Sequence, residues 1–306
     1  MSAHPAPDHQ ARLELALEVL DGLSVGDALG ESLSYGFYRA REHADFSAYR
    51  DGSVRYTDDT EMALGIVDVL TKIQSVEEDL LAWTFASRFR RDPDRGYGRM
   101  ARRLLMEISA GADWRQVSES AFGGGSFGNG AAMRVAPLGA YLADDPSAIP
   151  AAARCSARVT HFHPEGIAGA IAVAIATGVA VALRGQAVES AVEGIFEAVL
   201  SATPGGEVRR RLEIAAGSPR SEPGEIARQL GNGTEISAQD TVPFCIWNAC
   251  RCLSDYREAV LSTVEVGGDC DTNAAIVGGI VAGFVGRPGI PKDWLRVREA
   301  LKFGAQ

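Results

Sequence analysis

The sequence has no C-x-x-C pair, no extended basic stripe and no run of alternating polar and apolar residues long enough to anchor a sheet. Its five cysteines are Cys155, Cys245, Cys250, Cys252 and Cys270. Their odd count and spacing argue against a disulfide framework or a zinc site and favour a reducing, cytoplasmic setting. Basic residues cluster only briefly, at 88–91 and 209–211, within a chain of net charge −10. General nucleic-acid binding is therefore not expected. Aromatic residues make up only 7% of the chain, fewer than a β-sandwich wants, and abundant Ala and Gly suit closely packed helices. The opening MSAHPAPDHQ lacks a basic stretch followed by an apolar one, so it does not read as a signal peptide. Residues 166–183 carry no charge. They are long enough to suggest a membrane span, but no aromatic belt flanks them, and we expect a buried central helix instead.

The length of 306 residues and the hydrophobic share of 46% allow a sizeable core. Apolar spacing predicts helices near 10–29, 58–73, 77–91, 98–109, 131–142, 147–159, 164–184, 187–201, 239–253, 255–264, 272–285 and 292–303. Residues 32–55 read as a loop. Residues 202–236, rich in Gly and Pro, read as a mobile insertion with a short helix inside it. Neither looks like a linker, so one domain over 1–306 is expected.

Two acidic clusters carry the chemistry. In Tyr56-Thr57-Asp58-Asp59-Thr60, adjacent carboxylates precede a helix. Capping needs one of them, and two repel unless a cation neutralises them. In Gly267-Gly268-Asp269-Cys270-Asp271-Thr272, a double glycine precedes a second apolar helix. An extended backbone here would point Asp269 and Asp271 to one side, with Thr272 as a further oxygen ligand. Such donors suit magnesium, manganese or calcium rather than zinc, although an Asx-turn feeding a helix cap is also open. Were both helix starts to meet, two ions could share the site.

A third element, 122–130, holds five glycines between and beside Phe122 and Phe127. Its backbone N–H groups can approach a phosphate, it stands before a helix expected from Ala131, and its phenylalanines could stack a base. It lacks the Lys-Ser/Thr pair of a Walker A loop. A fourth, Thr160-His161-Phe162-His163-Pro164-Glu165, reads as a capping turn, with His161 as a possible ligand contact.

Together these segments, with Gly26-Asp27-Ala28-Leu29-Gly30 and Gly128-Asn129-Gly130-Ala131-Ala132-Met133-Arg134, resemble the ADP-ribosylglycohydrolase family in content and order. The resemblance implies a compact orthogonal all-α bundle with two Mg2+ or Mn2+ ions, and Thr57, Asp58, Asp59, Asp269, Asp271 and Thr272 match the family's metal ligands. It further implies that Gly125, Ser126, Phe127, Gly128, Asn129 and His161 line the site for ADP-ribose. Asp94 resembles a loop acid of some members, and Asp269 is counted among the catalytic groups as well as the ligands. The sequence departs from the family at Ser34, where many members carry a glutamate; the nearest acid is Glu31, about one helical turn earlier.

The expected reaction is removal of ADP-ribose from a modified protein or small molecule, releasing ADP-ribose, with Glu31 or Asp94 protonating the leaving group. The alternatives are a metal-dependent nucleotide phosphohydrolase, which would release phosphate or AMP, and a catalytically silent ADP-ribose-binding protein of the same fold.

Overall fold

The computed structural model describes residues 8–304, with backbone alone at 36–38. Residues 1–7, part of the stretch read above as no signal peptide, lie outside the described residues. The described chain is all-α. In order the helices are α1 (His9–Leu33), α2 (Ala40–His43), α3 (Asp58–Ile73), α4 (Glu78–Arg91), α5 (Arg99–Ser109), α6 (Trp114–Ser120), α7 (Ala136–Tyr141) and α8 (Ile149–Arg158). They continue with α9 (Pro164–Ala182), α10 (Val188–Ala202), α11 (Glu207–Ala216), α12 (Pro223–Leu230), α13 (Ala238–Arg251), α14 (Tyr256–Glu265), α15 (Cys270–Val285) and α16 (Lys292–Val297). Only two isolated bridges, Val54 with Arg298 and Gly128 with Ser237, pair extended backbone among the described residues.

The core centres on α1, α9 and α15. The uncharged α9 is buried along most of its length, packed by α7, α8, α10, α13 and α15. It is long and apolar enough to cross a membrane, yet its apolar faces are covered by protein. α1 and α15 run against each other more closely than ordinary side chains allow. A Cβ added at Gly26 would stand 2.0 Å from the carbonyl oxygen of Ala274, and one at Gly30 would stand 2.8 Å from Cα of Asp271. Gly22 meets Gly278 and Ala282 in the same way. Three glycines at spacing i, i+4 and i+8 thus form a groove on α1 that admits the backbone of α15. This contact fixes where α15 begins.

Several expected boundaries move. Residues 202–236 are not a mobile insertion with one short helix: they form α11 and α12, whose Val208, Leu212, Ile226 and Leu230 are fully buried. Pro223 does not break α12; it starts it, because the first helical position needs no N–H donor. The Glu165 carboxylate accepts from the backbone of Glu207 and Val208 at 2.7 and 2.8 Å. It caps α11 from a distant part of the chain, which local sequence cannot reveal.

The helix expected over 131–142 is broken. A 3-10 turn at Asn129–Ala131 is followed by α7 only from Ala136. The segment 292–303 is helical only to Val297, then runs extended beside Val54, with Glu299 N–H donating to the Val54 carbonyl at 2.8 Å. The loop at 32–55 contains a 3-10 turn (Ser34–Arg39) and the single-turn α2. The short α6, capped by Asp113, has no counterpart in the apolar spacing. All five cysteines are free thiols.

Candidate active site

The site is built from two helix starts and one buried acid. Thr57 caps α3, placing Asp58 and Asp59 in its first turn. Asp269 stands at the cap of α15, with Asp271 in the first turn. Both acidic pairs therefore lie at the positive end of a helix dipole. Asp269 and Asp271 do not alternate along an extended strand, as the sequence suggested. The helix has already begun at Cys270, and its curvature brings the two carboxyls together.

Asp27 ties the first cluster to α1. It is fully buried, and its carboxylate accepts from Thr57 N–H at 3.0 Å, Thr57 Oγ1 at 2.8 Å, Thr60 N–H at 3.1 Å and Thr60 Oγ1 at 2.5 Å. These bonds anchor the start of α3 to α1, while Gly30 brings the start of α15 against the same helix. Asp27 belongs to a recognisable motif in the sequence, but its tie to the acidic cluster is visible only in the fold. The available signal was an acid in an otherwise apolar turn, Val25-Gly26-Asp27-Ala28-Leu29.

The carboxyls feel one another. Burial, then the charge of Asp271, pushes Asp27 up to about 7. Burial and Asp271 do the same to Asp269. Asp58 is raised by burial and by Asp271, Asp27 and Asp269, and Asp59 by burial and by Asp27, Asp271, Asp58 and Asp269. Acids about 210 residues apart in the chain are thus near enough to raise one another. Asp59 Oδ1 is buried without a hydrogen-bond partner, an arrangement that costs energy unless something positive faces it. Among the described residues, no three His, Cys, Asp or Glu side chains close around one point as they stand. Asp59 Oδ2 takes a bond from Thr57 Oγ1 at 3.1 Å and Asp269 takes one from Asn129 Nδ2 at 2.6 Å.

The glycine loop meets this cluster through Asn129, whose amide also donates to Thr241 Oγ1 at 3.1 Å. Ser126 Oγ accepts from Gly128 N–H at 3.1 Å. Gly125 has φ +92°, and a Cβ there would stand 2.5 Å from the backbone nitrogen of His163, so only glycine fits. Phe127 is 43% exposed and packs edge-on to His163. Its carbonyl accepts from Ala238 N–H at 2.9 Å, and two residues on, Asn129 N–H donates to the Ile236 carbonyl at 3.4 Å. Ile236 is 64% exposed with φ +52°, and Phe122 is 67% exposed with φ +54°. A β-branched residue held in that region stores strain. Two exposed, strained apolar residues thus flank one loop; Ile236 was not read from the sequence and has no sequence signal. His161 is buried beneath the loop, and burial with the Arg134 charge pushes it down to about 3.

The two candidate acids sit differently. Glu31, in the last turn of α1, is exposed at the rim, yet partial burial and then the charge of Asp271 raise its carboxyl. Asp94 faces solvent on the loop after α4, 3.7 Å from Arg102. That loop reaches the acids at Gly96, where a Cβ would stand 3.6 Å from Asp58 Oδ1. A surface cavity of about 630 Å3, lined by Arg41, Arg228, Arg251, Glu222, Glu258 and Glu265 among others, lies across Asn232 from the acids. Arg41 is matched by Glu258 and Glu265, so its charge is spent within the protein.

Comparison with known proteins identifies the family. The family profile described as ADP-ribosylglycohydrolase matches residues 8–303. The chain belongs to that family. It is 30% identical to the ADP-ribosylhydrolase ARH3 of Homo sapiens, over 90% of this chain and 86% of that one. It is 32% identical to the ARH3 of Mus musculus, over 83% and 75%. A solved structure titled "ADP-ribosylglycohydrolase-related protein complex" superposes with TM-score 0.64 at 24% identity, covering 95% of this chain and 94% of its own; it bears on the fold alone. At the level of the family, the chain is an ADP-ribosyl hydrolase.

Proposed function

We propose that the protein is a metal-dependent hydrolase that cleaves the glycosidic bond at the distal ribose of an ADP-ribosylated protein or small molecule, releasing ADP-ribose. The carrying observation is the buried meeting of Asp58, Asp59, Asp269 and Asp271, with Asp59 Oδ1 unpartnered. Carboxylates this close, raised by one another, are neutralised either by protons or by cations. Thr57, Asp58, Asp59, Asp269, Asp271 and Thr272 present hard oxygen donors of the kind that hold two Mg2+ or Mn2+ ions. Bound there, the ions would supply charge neutralisation and an acidified water.

The protein's own groups do the rest. The Gly125–Gly130 backbone faces the diphosphate, and exposed Phe127, Phe122 and Ile236 border the adenine. Asn129 couples loop and acids through its bond to Asp269. Glu31, open at the rim and near enough to feel the Asp271 charge, is placed to give a proton to the leaving group. The relatives' printed names, ADP-ribosylhydrolase, point to the same substrate class.

A panel of defined ADP-ribosylated peptides and small molecules, assayed with Mg2+, Mn2+ or chelator, tests this. Free ADP-ribose that disappears under chelation is the expected product. Release of phosphate or AMP instead would replace this reading with a phosphohydrolase, and ADP-ribose binding without turnover of any substrate would replace it with a silent binder.

A further inference from the structure

Hydrogen bonding behind the glycine loop fixes the proton of a histidine. Arg134 is fully buried, its guanidinium over the Phe85 ring at 4.5 Å. Its Nη2 donates to the Ser156 carbonyl at 2.9 Å and to Thr160 Oγ1 at 2.8 Å. Thr160 Oγ1 is also 2.7 Å from His161 Nδ1. A guanidinium can only donate, so Thr160 accepts from Arg134. The hydroxyl keeps one proton of its own, and His161 Nδ1 is the partner within reach of it among the described residues. Giving that proton to Nδ1 makes Nδ1 an acceptor, and a neutral imidazole must then carry its hydrogen on Nε2. The imidazolium alternative is opposed by burial and by Arg134, which hold His161 neutral.

The free end of the ring is aimed at the loop. A Cβ added at Gly128 or Gly130 would stand 3.3 or 3.1 Å from Nε2, so bare backbone leaves room for that nitrogen. Nε2 has no hydrogen-bond partner among the described residues, although the ring is 8% exposed.

We propose that Arg134 and Thr160 are positioning residues that lock His161 as a neutral Nε2–H donor, directed at a phosphate or ribose oxygen held on the Gly125–Gly130 loop. The proposal rests on the reading of that loop as an ADP-ribose site. It makes His161 neither a base nor a metal ligand. Arg134 acts through Thr160 and does not touch the ligand.

The test uses the full chain labelled with 15N-histidine, at pH 7 and without ligand. Two-bond proton–nitrogen spectra, with the His161 signals assigned by their loss in His161→Gln, report which ring nitrogen carries hydrogen. The expected wild-type pattern is protonated Nε2 and unprotonated Nδ1. Thr160→Ser should keep it, whereas Thr160→Val should move both nitrogens towards intermediate shifts as both tautomers populate. ADP-ribose affinity, measured by calorimetry on the same samples, should fall about tenfold in Thr160→Val and recover in Thr160→Ser. Thermal melts of both variants report folding, and the serine variant keeps the test open should the valine variant unfold. A wild-type His161 with its proton on Nδ1, alongside normal ADP-ribose binding, overturns the proposal alone. Unchanged spectra and affinity in folded Thr160→Val overturn it too. Absence of ADP-ribose binding by the wild type overturns it together with the functional reading.

Discussion

In the presence of chelator, the protein should become less stable as pH rises from 5 to 7. Asp27 and Asp269 are pushed up to about 7 in the fold, from an ordinary value of 3.8, and Asp58 and Asp59 are raised as well. A carboxyl whose pKa is raised on folding keeps its proton where the unfolded chain has lost it. Its stabilisation is fully present below 3.8 and disappears as pH climbs through the folded value. His161 works the other way: it is lowered to about 3, so its contribution is present above 6.5 and is lost as pH falls. One histidine offsets one of the four acids. Taking a single net retained proton as the floor, the loss across these two pH units is about 3 kcal/mol. At about 2 cal/mol/K per residue of unfolding entropy, that shifts Tm by about 5 °C. The assay is thermal unfolding from pH 5 to 8 with chelator, repeated with excess Mg2+ or Mn2+. Cations at the acids should restore the loss at pH 7, because they favour the ionised carboxylates that protons had masked. A chelated protein whose Tm is flat or rises over pH 5–7, or one that metal does not affect at pH 7, would refute the shared site.

Other consequences concern individual groups. The double change Asp269→Asn with Asp271→Asn should abolish turnover and weaken Mg2+ binding by calorimetry, and unchanged metal affinity would sink the ligand assignment. Phe127→Ala should lower ADP-ribose affinity by about 1–3 kcal/mol if the ring stacks on the base. Because Phe127 is 43% exposed, Tm should barely move, and a large loss of Tm with normal binding would make it a core residue. Glu31→Gln should cost roughly 10²–10⁴-fold in turnover with metal binding kept, as removal of a proton donor does. Full activity on every cleavable substrate would remove Glu31 from the reaction, and Asp94→Asn, measured beside it, would show whether the neighbouring loop supplies the acid.

Helices were legible in the sequence where an apolar run or apolar spacing continues over several turns. α3, α4, α9, α13, α14 and α15 begin and end close to where apolar spacing puts them. Short or distantly capped elements were not. α6 has seven residues, too few to display a period, and α11 takes its cap from Glu165, about 40 residues upstream. The glycines and prolines at 202–236 read as loop because punctuation was counted without regard to position, yet Pro223 occupies the one helical place that suits it. Ile236 was invisible for another reason. A β-branched residue at positive φ is imposed by the surrounding fold, here by the pairing of Gly128 with Ser237, and leaves no trace in composition.

The acidic clusters were conspicuous because each is contiguous in sequence, but contiguity says nothing about their meeting. That is decided by residues with no chemistry of their own. Gly22, Gly26 and Gly30 let α15 lie on α1 at backbone contact, and a side chain at Gly26 would collide with the Ala274 carbonyl. Asp27 stands on the same helix, one residue beyond Gly26, and holds Thr57 and Thr60 through both backbone and hydroxyl. One helix therefore carries both registrations, the glycines for the second cluster and the aspartate for the first. Parting either helix start from α1 would leave every acid in place in the sequence while separating the charges that raise one another. Asp27 is thus read as a positioning acid, whose effect on turnover would pass through Thr57 and the acids behind it. Gly-Asp-Ala-Leu-Gly is the segment where packing and chemistry are set together.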